Sequence, residues 1–117
     1  MLLSERVSFS VPSVQPWLEH PVYSYPITVA RKSYRGSDPR KRAKINHWNA
    51  VAARVESHLN ADLALKPDDT VNVYSSYTVA ADLGEDADLV QEIIYATDCG
   101  AGGITILKGD WDRAIAK

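Results

Sequence analysis

A chain of 117 residues, 45% hydrophobic and 24% charged, has the composition of one globular domain spanning residues 1–117, which argues against a disordered or fibrous protein. Its single cysteine cannot form an internal disulfide, and no apolar stretch reaches the roughly 18 residues of a membrane span. Residues 7–11, which follow the opening MLLSER, alternate in hydropathy, unlike the apolar core of a signal peptide. We therefore expect a cytoplasmic protein that makes no membrane contact.

The net charge of −2 conceals two blocks of opposite sign. Residues 31–44, the basic run, carry a net charge of +6, and residues 60–98, the acidic stretch, carry −8. The cations of the basic run are Arg31, Lys32, Arg35, Arg40, Lys41, Arg42 and Lys44. Charge blocks of this kind influence the choice of partner and say nothing about the fold.

The first two predicted elements are strands. Alternating apolar residues predict a short strand over residues 7–11. Residues 22–31 predict a second strand whose apolar side consists of Tyr23, Tyr25, Ile27 and Val29. Pro26 lies on the other side and removes a ladder donor, which favours a position at the sheet edge.

A long amphipathic helix is predicted next. Ser37 or Asp38 is suited to cap it, and Pro39 is suited to its first position. The helix is predicted to run to about Leu59 or a little beyond. Its apolar stripe consists of Ile45, Trp48, Ala52, Val55 and Leu59. A neighbouring basic face consists of Arg40, Lys44, His47, Arg54 and His58, with Val51 among them.

The remaining predicted elements are a strand, a helix and a strand. Residues 71–79 show the clearest strand alternation of the chain. A second helix opens at Leu83, and its early acids suit the positive end of the helix dipole. Its predicted inner face consists of Leu89, Val90, Ile93, Ala96 and Thr97. A last strand covers residues 104–107, after which Gly109 introduces an acidic, aromatic tail.

These elements occur in the order ββαβαβ. Four strands and two helices of these lengths are best accommodated as two layers. We therefore expect an α+β two-layer sandwich, with both helices on one face of an approximately four-stranded mixed or antiparallel sheet. No internal repeat or linker divides the sequence.

The glycine-rich residues 97–106, TDCGAGGITI, contain the only cysteine of the chain. A phosphate-binding loop lies between a strand and the helix that follows it, but these glycines follow a predicted helix and precede a predicted strand. They predict a structural connector in which Gly100 takes a left-handed conformation past the helix end. The acidic helix end disfavours a thiolate at Cys99, so we expect a small, unreactive thiol.

No complete catalytic or metal-binding pattern occurs in the sequence. His47 and His58 lie about 16 Å apart along one helix, too far to share an ion. The carboxylates of residues 82–88 lack the glycine and glutamate spacing of a calcium loop. The only support for an enzyme is a polar pocket assembled from distant residues such as Tyr74, Asp98 and His47. We therefore predict no catalytic residue, no metal and no cofactor.

The basic run has three open interpretations: a solvated face, a site for an acidic protein surface, or a nucleic-acid site in which Tyr34 and Trp48 stack on bases. The isoelectric point near 5.9 argues against a protein built mainly to bind nucleic acid. The acidic stretch serves either solubility or contact with a basic cleft. The two blocks could also meet each other within or between protomers, so we expect a monomer or a homodimer.

In size and charge layout the chain resembles small inhibitors encoded by phages and mobile elements, such as the anti-CRISPR proteins. The resemblance rests on the basic run, RKSYRGSDPRKRAK, beside the acidic stretch. It implies a non-enzymatic protein-binding protein that sterically blocks a host nucleic-acid-binding or nuclease complex. The expected contacts are the seven cations of the basic run and the acids Asp68, Asp69, Asp86 and Asp88. The alternative is a nucleic-acid-binding module that uses the basic run.

Overall fold

The computed structural model describes residues 22–98 and 103–116, which form four helices and a three-stranded mixed sheet. In chain order the elements are β1 (Val22–Ser24), α1 (Pro39–Ala64), β2 (Thr70–Ser75), α2 (Ser76–Leu83), α3 (Ala87–Asp98), β3 (Gly103–Lys108) and α4 (Trp111–Ala116). The predicted α+β class is confirmed. The predicted order ββαβαβ is not matched, since the described elements run βαβααβα and include two helices, α2 and α4, that were not predicted. The strand predicted over residues 7–11 lies outside the described residues.

The sheet has the strand order β1–β3–β2. The central strand β3 pairs with β1 in parallel and with β2 in antiparallel orientation. Tyr23 lies opposite Ile106, and Tyr74 lies opposite Ile104, so these four side chains share one face. Ile104 and Ile106 are buried on this face, where α3 packs against β3 and α1 packs against α2 and α3. The core therefore lies between this face and the helices.

Helix α1 supplies much of that core. Asp38 caps the helix, because its side chain accepts a hydrogen bond of 2.9 Å from the backbone N–H of Arg40, and Pro39 occupies the first turn as predicted. The buried residues of α1 are Trp48, Val51, Ala52, Val55, Leu59 and Leu63. The assignment of Val51 to the basic face was wrong, because the buried stripe is wide enough to include it. Ile45 is only half-buried, since the core begins at Trp48.

The strand predicted over residues 22–31 is wrong beyond Ser24. Ile27 and Val29 are buried as predicted, but they belong to an extended segment that lies along α1. The backbone N–H of Ile27 donates to Asn60 Oδ1 (2.8 Å), and that of Val29 donates to Glu56 Oε1 (2.8 Å). Asn60 Nδ2 returns a hydrogen bond of 3.0 Å to the carbonyl of Ile27. Side chains of α1 thus replace the neighbouring strand that the pattern alone suggests.

Asn49 extends this arrangement toward the start of α1. Its Oδ1 accepts from the backbone N–H of Lys32 and its Nδ2 donates to the carbonyl of Lys32, each at 2.8 Å. Residues 49, 56 and 60 lie within about 40° of one another around the helix. This polar stripe holds residues 27–32, which we call the clamped segment.

The strand predicted over residues 71–79 is wrong after Ser75. The Ser75 side chain accepts a hydrogen bond of 3.2 Å from the backbone N–H of Tyr77 and so caps α2. Val79 is therefore a buried residue of a helix, not of a strand. Gly84 ends α2 with a φ of 66°, in the left-handed region that glycine adopts without strain.

The second predicted helix corresponds to α3, with corrected bounds. It begins at Ala87, because the Asp86 side chain accepts a hydrogen bond of 3.0 Å from the backbone N–H of Leu89 and so caps the helix. Its buried residues are Val90, Ile93 and Ile94, whereas Ala96 is exposed, contrary to prediction. The last predicted strand is confirmed as β3. The predicted tail is instead the short helix α4, which packs against β2.

Candidate anion-binding surface

The first turns of α1 extend beyond the core. Of residues 39–47, eight are exposed and only Ile45 is half-buried, and Trp48 is the first buried residue of the helix. At 1.5 Å per residue these nine residues extend about 13 Å along the helix axis. Together with the preceding loop they form a unit, residues 34–47, which we call the basic projection.

Four cations of the basic projection have no partner among the described residues. The side chains of Arg35, Arg40, Lys41 and Lys44 are exposed and make no hydrogen bond, ion pair or ring contact within the part of the chain that the structure describes. Asp38 is the only acid within the projection, and its side chain is engaged as the helix cap. The projection therefore presents a concentrated positive charge to solvent.

The other three cations of the basic run have internal partners. Arg31 donates to the carbonyl of Val29 (2.6 Å) and pairs with Glu56 (3.4 Å). Lys32 Nζ lies 4.7 Å from the ring centroid of Trp48. These two residues thus fasten the clamped segment to α1, and only part of the predicted basic site is free.

The third internally engaged cation, Arg42, organises the loop of the basic projection. Its Nη2 donates to the carbonyl of Gly36 (2.8 Å), and its guanidinium lies 5.5 Å from the ring centroid of Tyr34. The Tyr34 hydroxyl accepts a hydrogen bond of 3.0 Å from the backbone N–H of Asp38. The loop is therefore held against the start of α1.

The position of the free cations opposes helix stability. The start of a helix carries the positive end of its dipole, where a cation is destabilising by about 0.3–1 kcal/mol, and α1 has no acid in its first turn. Arg40 and Lys44 are also like charges one turn apart, a spacing that costs about 0.2–0.5 kcal/mol. Folding alone gives no reason to concentrate cations here.

Lower on α1, two residues of the predicted basic face lie against carboxylates of the acidic stretch. Arg54 pairs with Glu85 and donates to the carbonyl of Leu83 (2.7 Å), and His58 lies 3.2 Å from Asp82. An open groove lies here between α1 and α2, lined in part by Arg54, His58 and Leu83. Arg54 therefore has a partner, and within the described residues of α1 the arginines and lysines without one lie in the projection.

The four acidic residues predicted to contact a partner differ in their surroundings. Asp69 Oδ1 accepts a hydrogen bond of 2.7 Å from the backbone N–H of Asp110, and Asp86 caps α3. Asp68 and Asp88 are exposed. Among the described residues, no ion pair joins the basic run to the acidic stretch.

The residues considered for an enzymatic pocket are not all brought together. The Tyr74 hydroxyl donates to Asp62 Oδ2 at 2.5 Å, and burial and then this carboxylate raise the pKa of Tyr74. His47 lies fifteen residues before Asp62 on α1, about 22 Å along the axis, so it is remote from Tyr74. Among the described residues, no group of three His, Cys, Asp or Glu side chains could hold a metal ion.

Most of the glycine-rich connector lies outside the described residues, including Cys99 and Gly100. Gly103, which begins β3, is described. A Cβ at this position would lie 2.7 Å from the carbonyl oxygen of Tyr74, so the close approach of β2 requires glycine. This residue has a structural role, in keeping with a connector.

The chain matches no protein-family model, no curated protein and no solved structure. No helix within the described residues has the length and hydropathy needed to cross a bilayer. The functional argument therefore depends on the geometry of this molecule.

Proposed function

We propose that this protein is a non-enzymatic binding protein that attaches to an anionic macromolecule through the basic projection. One observation carries the proposal: four exposed cations that have no partner among the described residues are concentrated on the start of α1 and the loop before it, which extend beyond the core. A surface selected only for solubility gains most from charges of both signs, interspersed. The projection instead concentrates positive charge at a helix N-terminus, where the helix dipole makes positive charge unfavourable.

A partner of opposite charge accounts for this arrangement. An anionic surface removes the repulsion among the cations and accelerates association by electrostatic steering. The local loss of helix stability is then offset in the complex. Departures from local folding rules concentrate at functional sites, which supports a binding role for these residues.

A second candidate function is protein binding through the outer face of α3, in the manner of the phage-encoded inhibitors that the charge layout resembles. Asp88, Gln91, Glu92 and Tyr95 occupy one helix face, opposite the buried residues of α3. Tyr77 of α2 adjoins them, with its hydroxyl 3.4 Å from Gln91 Oε1, and both tyrosines are more than half exposed. Exposed tyrosines beside acids suit a basic cleft, such as that of a host nucleic-acid-binding or nuclease complex.

A double replacement tests this second candidate. Tyr77→Ala/Tyr95→Ala should abolish capture of a protein partner from a bacterial lysate, because truncation removes the two aromatic anchors. The matched control is Tyr34→Ala, which removes a tyrosine of the basic projection. Equal capture by the wild type and the Tyr77→Ala/Tyr95→Ala variant would refute the second candidate.

Charge reversal tests the primary proposal. Lys41→Glu should elute from immobilised heparin, a generic polyanion, at distinctly lower salt than the wild type, because it removes one free cation of the projection and adds an anion. Lys66→Glu is the matched control, since it makes the same change in net charge at a lysine that already pairs with Asp62 at 3.8 Å. Equal elution of the two variants would contradict the proposal.

A further inference from the structure

We infer that the anionic partner of the basic projection is the phosphate backbone of double-stranded nucleic acid. The inference rests on the proposed function and specifies the class of macromolecule that the basic projection binds. Four unpaired cations in a short exposed segment match a polyanion that carries one charge per about 1.7 Å of its axis. Two further properties of the projection disfavour the other two anionic partners, a single-stranded nucleic acid and an acidic protein.

The two aromatic rings considered for base stacking, Tyr34 in the basic run and Trp48 just after it, are not available. Trp48 is 5% exposed and has Lys32 over its ring, and half-buried Tyr34 has Arg42 over its ring. Proteins that bind single strands without sequence preference depend on aromatic platforms for successive bases. The projection lacks such a platform, which disfavours a single-stranded partner.

The projection also lacks an apolar anchor. The large exposed hydrophobic residues of the described chain are Leu65, Val73, Tyr77, Tyr95 and Ile115, none of which belongs to residues 34–47. Protein–protein interfaces place buried aromatic or apolar residues at their centre, whereas protein–DNA interfaces are more polar and far more positively charged. The composition of the projection therefore fits nucleic acid better than an acidic protein.

The geometry indicates contact along the side of the helix. Arg40 and Lys44 lie about 6 Å apart along the axis, and Lys41 lies about 100° around from Arg40. Each strand of a duplex presents a phosphate every 3.4 Å along its axis, so a 6 Å separation allows the two side chains to contact different phosphates of the duplex. The Asp38 carboxylate at the helix tip repels phosphate from an end-on approach and directs the duplex to this side.

Fluorescence anisotropy with three labelled probes tests the inference: a mixed-sequence 20-base-pair DNA duplex, a 20-nucleotide oligothymidine and polyglutamate. With four free cations, the slope of log K against log salt for the duplex should lie between about −3 and −4. Affinity should then fall roughly 100-fold between 50 and 200 mM salt. Arg40→Gln/Lys44→Gln should make the slope shallower by about 2, whereas Lys66→Gln/Arg113→Gln, whose cations pair with Asp62 and Asp69, should leave it unchanged.

The outcomes separate the inference from the function on which it rests. Duplex binding that is tighter than binding to the other two probes, and that depends on Arg40 and Lys44, supports the inference. Binding to oligothymidine or polyglutamate that equals or exceeds duplex binding overturns it, as does duplex binding unaffected by Arg40→Gln/Lys44→Gln. Failure to bind all three probes and heparin overturns the proposed function itself.

Discussion

Replacing Leu59 with alanine is expected to lower the free energy of unfolding by about 2–5 kcal/mol. Leu59 is fully buried in the middle of the α1 stripe, within the core shared with Val55, Val90 and Ile93. The truncation removes buried apolar surface and leaves a cavity, because a packed core relaxes only partly around it. Urea unfolding followed by far-UV circular dichroism measures the change.

Leu65→Ala is the matched control for this prediction. Leu65 is 86% exposed just after α1, so the same chemical change there should alter the free energy of unfolding by less than about 0.5 kcal/mol. Similar values for the two variants would mean that α1 does not bury the stripe described above.

Replacing Asn60 with alanine is expected to lower the free energy of unfolding by about 2 kcal/mol. The Asn60 side chain makes two hydrogen bonds with Ile27, one to its backbone N–H and one to its backbone carbonyl. Ile27 is only 4% exposed. Alanine at position 60 leaves the backbone N–H and carbonyl of Ile27 without hydrogen-bond partners. Because Ile27 is buried, this loss costs more than the loss of a hydrogen bond that water can replace. Thermal or urea unfolding measures the difference.

Asn46→Ala controls for helix propensity. Asn46 is exposed on the same helix and its side chain makes no hydrogen bond with the described residues, so alanine should stabilise α1 there by up to roughly 0.7 kcal/mol. The difference between the two variants isolates the clamp. If Asn60→Ala is as stable as Asn46→Ala, the side chains of α1 do not hold residues 27–32.

The elements that the sequence predicts well are those with local signals. Asp38 and Pro39 mark the start of α1 and a 3.6-residue apolar period continues it, so its existence follows from the chain alone. The apolar residues of β3 follow glycine and precede Gly109, which is an equally local signal. These two elements contribute many of the buried residues of the core.

The incorrect predictions occur where one hydropathy pattern is compatible with two different local structures. Ile27 and Val29 face inward in a strand or in a clamped segment, and only distant residues, Asn49, Glu56 and Asn60, decide between them. Their spacing along one face of a predicted helix was the available signal. The alternation that ends at Val79 was similarly ambiguous, and the Ser75 cap was the local clue for α2.

The candidate surface was predicted in outline from the basic run. The sequence does not reveal which cations are free, because the partners of Arg31 and Lys32 lie more than a dozen residues away on α1. Nor does it show that the core ends at Trp48 and leaves the basic projection exposed, since the helical pattern continues through that point. Both facts depend on tertiary packing.

The central claim is that the free cations of the projection serve binding at the expense of folding. The most direct measurement is the free energy of unfolding of Lys41→Glu, determined on the same preparation used for heparin elution. Glutamate in the first turn of α1 replaces an unfavourable cation by an anion that suits the helix dipole, so we predict stability about 1 kcal/mol above the wild type together with weakened heparin binding. Stability equal to or below that of the wild type, or unchanged heparin binding, would contradict the claim.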